Sequence, residues 1–296
     1  MPVGREPPPF FLVLTVLGPR MKLSKIMTTQ VVSIGPDDSL DVALALFDKH
    51  SYRHLPVIRG GALVSMISRR DLSAATGWQT AAERKALGQK GPLIVREIMR
   101  DRVVTLGPHS DVEAAASMMI GKRAGAIPIL ENNLIIGIVT SSDILAAIRH
   151  RNPQAEWGRT RDVSSVKVSE FMHRKPTSVE SGADVAEAAG VCVQEDLRHL
   201  SVTDGGTFVG LVTDYELSFH HTQSKPVQAS QTALSDVMVK DVITIGPDEE
   251  LTAAADSMIE NGLSGLPVVT NDGLVGFLTD QDVIQYFTAK FRVPPL

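Results

Sequence analysis

An α/β (α+β) fold built from four copies of one unit follows from the 296-residue sequence. Each copy is expected to be a small mixed sheet with two helices on one face, and the copies to pair into two modules. Three observations carry this. Apolar dipeptides or near-dipeptides ending in Met recur at Ile26-Met27, Ile98-Met99, Phe171-Met172 and Val237-Met238, spaced 72, 73 and 66 residues apart. From each Met to a column holding Pro56, Pro128, Ser201 and Pro267 is 29 residues. From that column to an acid (Asp71, Asp143, Glu216, Asp282) is 15 residues. Two intervals held four times mark internal repetition, with a period too long for a solenoid and suited to a small supersecondary domain.

Each copy opens with a β-type run: Val31–Ile34, Val103–Leu106, Thr177–Val179 and Val242–Ile245. In three copies a turn dipeptide ends it, Gly35-Pro36, Gly107-Pro108 or Gly246-Pro247. A helix follows, Val42–Lys49 in the first copy and Ala253–Glu260 in the fourth, with apolar residues at three- and four-residue spacing. Two closely spaced strands come next, starting in the first copy at Leu55–Ile58 and Val64–Ile67, joined by a Gly or Asn turn that reads as a hairpin. A second helix closes the copy. One such unit is too small to cover both faces of its sheet, so units must pair. The pairing scheme is visible before the Pro column, where odd copies hold Arg53-His54 and Arg198-His199 and even copies hold Gly125-Ala126 and Ser264-Gly265. That alternation describes a duplicated pair. The expected repeats are 21–80, 92–150, 165–220 and 231–290, in modules of 21–150 and 165–296.

Composition excludes several function classes. A net charge of −5 gives no basic surface for nucleic acid. The single cysteine, Cys192, cannot form an internal disulfide, which fits a reducing cytoplasm. It lies in an Ala/Val-rich helical stretch and reads as a buried, inert thiol. The apolar run Phe10–Leu17 is far short of the ~20 residues that span a bilayer. It lacks signal-peptide flanks, so residues 1–20 read as a disordered extension or a mis-called start. No phosphate-binding P-loop, dinucleotide fingerprint, HExxH or CxxC occurs. His220-His221 lacks a second ligand pair, and Trp78 and Trp157 read as packing anchors in connecting segments. The chain is not expected to be an enzyme or to need a cofactor.

The opening Ile-Met, the β run, the helix, the Gly-Leu-Pro-Val-Val at 265–269 and the closing Gly-x-x-Thr-x-x-Asp at 276–282 resemble the CBS domain, named after cystathionine β-synthase. The resemblance covers nearly all of 21–287. It implies that two domains pack through their sheets into a Bateman module, whose clefts commonly bind adenosine-containing ligands. The nearest architectural analogue is a four-domain adenylate sensor such as the gamma subunit of AMP-activated protein kinase.

The closing motif also has a meaning of its own. A strand ends at Thr140 and a helix begins near Ser141–Asp143, where free backbone N–H groups favour an anion. An acid three residues after the Thr can accept from two ribose hydroxyls, and Gly137 would let another group approach the strand closely. Thr-x-x-Asp is equally a capping box, which needs no ligand, and the two roles are compatible. The expected binding residues are Thr140/Asp143 and Thr279/Asp282. The odd copies are weaker: Ser65 and Ser68 replace the Gly and Thr while Asp71 is kept, and the third copy has Glu216 and Ser201. Its own pocket should be the poorest. By the resemblance, Arg53/His54 and Arg198/His199 contact phosphates, though their order is reversed from the family's; a solvated basic pair is the alternative. The resemblance also puts Val104 and Ile243 against the base. Arg69-Arg70 either serve the first cleft or are simply exposed. One principal site per module is expected, Thr140/Asp143 with Arg53/His54 and Thr279/Asp282 with Arg198/His199. The ligand would be regulatory, an adenine nucleotide or S-adenosylmethionine, signalling to an unidentified effector protein from a homodimer, with no nucleic acid and no membrane involved. The competing reading is a ligand-free scaffold for protein association.

Overall fold

A computed structural model describes residues 21–50, 52–76, 93–99, 103–150, 166–217 and 232–290. Residues 1–20, Trp78, Trp157 and His220-His221 lie outside them. In chain order the elements are α1 (Leu40–His50), β1 (His54–Arg59), β2 (Ala62–Ser68), α2 (Arg69–Thr76), α3 (Val112–Lys122), β3 (Ala126–Glu131), β4 (Leu134–Thr140) and α4 (Ser141–His150). The second half holds β5 (His173–Arg174), β6 (Ser178–Glu180), α5 (Val185–Gln194), β7 (His199–Asp204), β8 (Thr207–Thr213), α6 (Leu251–Asn261), β9 (Gly265–Thr270), β10 (Gly273–Thr279) and α7 (Asp280–Lys290). A single short helical turn precedes each repeat's opening Met.

The first helix of each repeat is set by one apolar stripe. α1 buries Leu40, Ala43 and Phe47; α3 buries Val112, Ala115, Ala116 and Met119. α5 buries Val185, Ala188, Ala189 and Cys192; α6 buries Leu251, Ala254, Ala255 and Met258. Three- and four-residue spacing puts each set on one helix face. Cys192 therefore stands where the other repeats have Phe47, Met119 and Met258: it fills the core. Burial pushes its thiol up to about 12, so it is not a nucleophile. Each hairpin turns on residues in the left-handed region, such as Gly60-Gly61 and Asn132-Asn133, as tight hairpins require.

The opening β runs are shorter than expected. In three repeats the run reduces to one parallel bridge with the first hairpin strand: Ile34 to Val57, Leu106 to Ile129 and Ile245 to Val268. Only in the third repeat does it extend into a strand, β6, paired with β7 from Ser178–Ser201 to Glu180–Thr203. Prolines at two positions explain this. Pro56, Pro128 and Pro267 have no N–H to continue the ladder at one end, where Ser201 has one; Pro36, Pro108 and Pro247 have none at the other, where Ser181 N–H donates to Thr203 O at 2.7 Å.

Pairing of repeats is reciprocal. The turn at Leu23–Lys25 docks on the helix start of repeat two, with Leu23 N–H donating to Ser110 O at 2.9 Å. Val95 docks likewise on repeat one, Val168 on repeat four and Leu234 on repeat three, each through backbone bonds to the partner. All four anchors are fully buried. Repeats one and two also share a sheet of order β1-β2-β4-β3. The modules join differently. α3 and α4 of repeat two pack against α6 and α7 of repeat four, and their apolar residues form one continuous core. Repeats one and three keep separate cores.

Candidate functional site

The acids of the closing motif sit at the first turn of the second helix in every repeat. Asp143 Oδ2 accepts from both the N–H and the Oγ1 of Thr140, each at 2.7 Å. Asp282 Oδ2 does the same with Thr279, Asp71 Oδ2 with Ser68, and Glu216 Oε2 with Thr213. The capping role is thus present in all four. Because a single carboxylate oxygen serves both bonds, the other oxygen is left for a different partner. Asp143 Oδ1 has none among the described residues, while Asp282 Oδ1 meets His173 Nε2 at 3.1 Å.

The motif glycines face the opening methionines of the partner repeat, not an open space. A Cβ on Gly137 would lie 2.7 Å from Met27 Sδ and 3.1 Å from Thr28 O. One on Gly210 would lie 2.7 Å from Met238 Sδ, and one on Gly276 2.5 Å from Met172 Sδ. The two signals that recur in the sequence, opening Met and closing Gly, are therefore two halves of one clasp across each module seam. The crossing also decides which opening segment borders which acid. Thr28 bonds Ile138 beside Thr140, and His173 pairs with Phe277 beside Thr279. Val239 pairs with Leu211 of repeat three.

Ile243 is exposed on the opening segment of repeat four. Its neighbours Val242 and Thr244 line a cavity of ≈ 440 Å³ with Thr207, Phe208, Lys240 and Thr270, at the opposite end of β10. Val104 is half-buried on the equivalent segment of repeat two. The residues that border the two acids instead, Thr28 and His173, directly follow Met27 and Met172. Reading each repeat as self-contained hides them.

The basic pairs converge. Backbone bonds tie Arg69 N–H to Arg53 O, Ser141 N–H to Gly125 O, Asp214 N–H to Arg198 O and Asp280 N–H to Ser264 O. These positions gather where the four repeats meet. A Cβ on Gly125 would lie 2.8 Å from His54 Cε1 and 3.2 Å from Arg198 Nη1, so Arg198 reaches across to the first module. His199 Nε2 is 3.0 Å from Ser264 Oγ within its own module. Ser141 Oγ donates to Asp280 Oδ2 between modules. Arg69 is 1 % exposed, donates to Asp48 at 2.8 Å and lies over the rings of Phe47 and Tyr215. Arg70 pairs with Asp196 of repeat three, so neither arginine is merely a solvated charge.

Electrostatics at this junction is mixed. Burial lowers Arg198, against the opposing pull of Asp280 and Asp214. Burial raises Asp214, opposed by Arg53, Arg198 and Arg69. Burial, with Arg53 and Arg198 adjacent, pushes His199 down to about 3. His199 is therefore neutral at neutral pH, and positive charge here comes from arginines. The buried set of Arg69, Ser141 and Asp280, with Asp214 half-buried beside it, is not apparent from the sequence, since polar residues in a helix's first turn ordinarily face solvent. Among the described residues no group of three or more His, Cys, Asp or Glu is placed to hold a metal. No described helix is long and apolar enough to cross a membrane.

Comparison with known proteins agrees with this architecture. The CBS domain model matches residues 23–76, 95–150, 168–220 and 234–289. The chain is 26 % identical to the uncharacterized protein MJ1225 of Methanocaldococcus jannaschii over 87 % of its own length and 95 % of that protein's. The crystal structure of MJ1225, proposed as an archaeal homologue of g-AMPK, superposes with a TM-score of 0.77 at 23 % identity, covering 90 % of this chain and all of that one (100 %). An uncharacterized conserved protein from Pyrococcus horikoshii superposes with a TM-score of 0.60 at 18 % identity, covering 90 % of this chain and 99 % of that one. With four matched domains, paired across two clasped seams, the chain belongs to the CBS-domain family.

Proposed function

We propose that the chain is a regulatory protein that binds an adenosine-containing ligand in the clefts of Thr140/Asp143 and Thr279/Asp282. The observation that carries this reading is the division of labour within the acid. Oδ2 of Asp143 is held by Thr140, which orients the carboxylate, and Oδ1 has no partner among the described residues on a half-buried side chain. An oriented carboxylate oxygen beside a helix N-terminus suits a ribose hydroxyl with a phosphate nearby. The arginines at the junction, Arg53 and Arg198, supply positive charge for phosphate. Ligand would act by population shift, favouring the arrangement of the two modules that it binds more tightly. In this reading the protein signals to an effector protein and works in the cytoplasm as a homodimer.

Calorimetry with adenosine, AMP, ADP, ATP and S-adenosylmethionine tests it. Binding of at least one is expected, and Asp143→Ala should weaken it by about 10- to 100-fold at that site, the scale of a lost charge-assisted hydrogen bond. Absence of heat and of thermal shift with all five would refute the proposal. The scaffold reading has its own support, because the capping bonds of all four acids need no ligand. It is favoured if Asp143→Ala and Asp282→Ala lower stability while no ligand binds.

A further inference from the structure

The two well-formed sites are not alike, and the difference lies in one side chain from the opposite repeat. Asp143 and Asp282 are held identically by their threonines through Oδ2. Beside Asp143 the crossing segment presents Thr28, and the acid's second oxygen has no partner among the described residues. Beside Asp282 the segment presents His173, whose Nε2 lies 3.1 Å from Oδ1. The Asp282 side chain is 14 % exposed and the His173 side chain 67 % exposed, so the imidazole covers the carboxylate from the solvent side. His173 is fixed in register by the β5–β10 pairing, His173 opposite Phe277 and Arg174 opposite Gly276. The neighbouring Arg174 is turned away, donating to Ser169 O at 3.1 Å.

From this geometry we infer that His173 is a latch on the second site: it occupies the carboxylate oxygen that a ligand's hydroxyl needs, and it must leave before ligand binds. The inference rests on the proposed adenosine reading and adds a specific inequality to it. The Asp143 site is open and fills first; the Asp282 site is self-occupied and fills at higher ligand concentration. The exposed ring can rotate into solvent without disturbing the core, so the latch is reversible. A protein with one open and one latched site responds over a wider concentration range than one with two equal sites.

The experiment measures AMP binding by calorimetry on full-length variants in which one site is disabled. In an Asp143→Ala background, His173→Thr should tighten the remaining site about two- to five-fold, the range set by releasing one largely solvent-exposed polar contact. In an Asp282→Ala background, Thr28→His should weaken the Asp143 site by a similar factor. His173 and Thr28 lie on the cleft side of short crossing segments, so both variants should fold, which a melting curve checks. Unchanged or weaker binding on His173→Thr overturns the latch while leaving the adenosine reading intact, since His173 would then be a ligand contact or a bystander. Loss of AMP binding by the unmodified chain and by the His173→Thr chain alike would remove both.

Discussion

The clasp between opening Met and closing Gly can be broken at one atom. A Cβ on Gly276 would stand 2.5 Å from Met172 Sδ, 3.0 Å from Met172 Cγ and 3.1 Å from His173 O. The sulfur is the far end of a flexible side chain and can swing away. The carbonyl cannot, because β5 is paired with β10 at this point. Gly276→Ala should therefore cost about 1–3 kcal/mol, the ordinary penalty for overpacking a filled seam. Met172→Ala alone removes a side chain from a residue 9 % exposed, at roughly 2 kcal/mol or more. In the double variant the new methyl grows into space the methionine vacated. The pair should then cost less than the sum of the singles by about 1 kcal/mol or more. Urea unfolding of the four proteins gives the cycle. Gly190→Ala is the control: Gly190 lies within α5 and has nothing within 4 Å of its would-be Cβ, so there the change should stabilise by about 0.5–1 kcal/mol. Additivity of the Gly276 and Met172 changes within ~0.5 kcal/mol would refute the clasp as an energetic unit.

Two further outcomes follow from the junction between modules. His199 is held at about 3, below its unfolded value, so the unfolded chain takes up a proton first as pH falls. Stability conferred by the neutral ring is full above about 6.5 and is lost between there and about 3, at up to ~1.4 kcal/mol per pH unit. His199→Gln should flatten that part of a stability-against-pH profile, and an unchanged slope would contradict the half-buried neutral ring. Arg149 of α4 forms a bidentate pair with Asp256 of α6, one bond at 2.7 Å, at the margin of the shared core. Arg149→Ala should lower the unfolding free energy by about 1 kcal/mol, with less loss in high salt, since the pair is part-exposed.

Much of this architecture is legible in the sequence because repetition amplifies weak signals. One Ile-Met or one Thr-x-x-Asp means little, but four of each in register locate every hairpin and the first turn of every second helix. The alternation of Arg-His with Gly-Ala and Ser-Gly likewise separates odd from even repeats. Two features stay hidden for physical reasons. Periodicity assigns Met27 and Met172 to the repeats they open, yet their side chains pack on Gly137 and Gly276 of the partners. Linear spacing cannot show which neighbour fills a missing Cβ. Gly137 accordingly reads as room for a ligand, while the room is taken by a methionine. The second hidden feature is burial of Arg69, Ser141 and Asp280, each at most 2 % exposed. Helix-start polar residues bury only when four copies of that start meet, which is a property of the assembly of repeats and not of any one of them.

The two contacts between modules are unequal, and that inequality determines where the protein can move. Repeats two and four share one apolar core in which Ile144, Leu145, Val283 and Ile284 are buried together, reinforced by Arg149–Asp256 and Ser141–Asp280. Opening that contact exposes continuous apolar surface at roughly 25 cal/mol per Å². Repeats one and three meet through Arg70–Asp196, the Arg70 bond to Cys192 O at 3.4 Å and Arg69 over Tyr215, and their cores remain separate. The part-exposed Arg70–Asp196 pair exchanges for water at small net cost, whereas Arg69, 1 % exposed, is the costlier part of this contact to open. A change in the angle between modules is therefore cheapest as a rotation about the repeat two–four core, with the repeat one–three contact opening or closing. Arg53 and Arg198, which electrostatics couples to Asp214, come from those two repeats. An anion drawing both arginines together would close that side, and its affinity for the closed arrangement is the free energy available to hold it there.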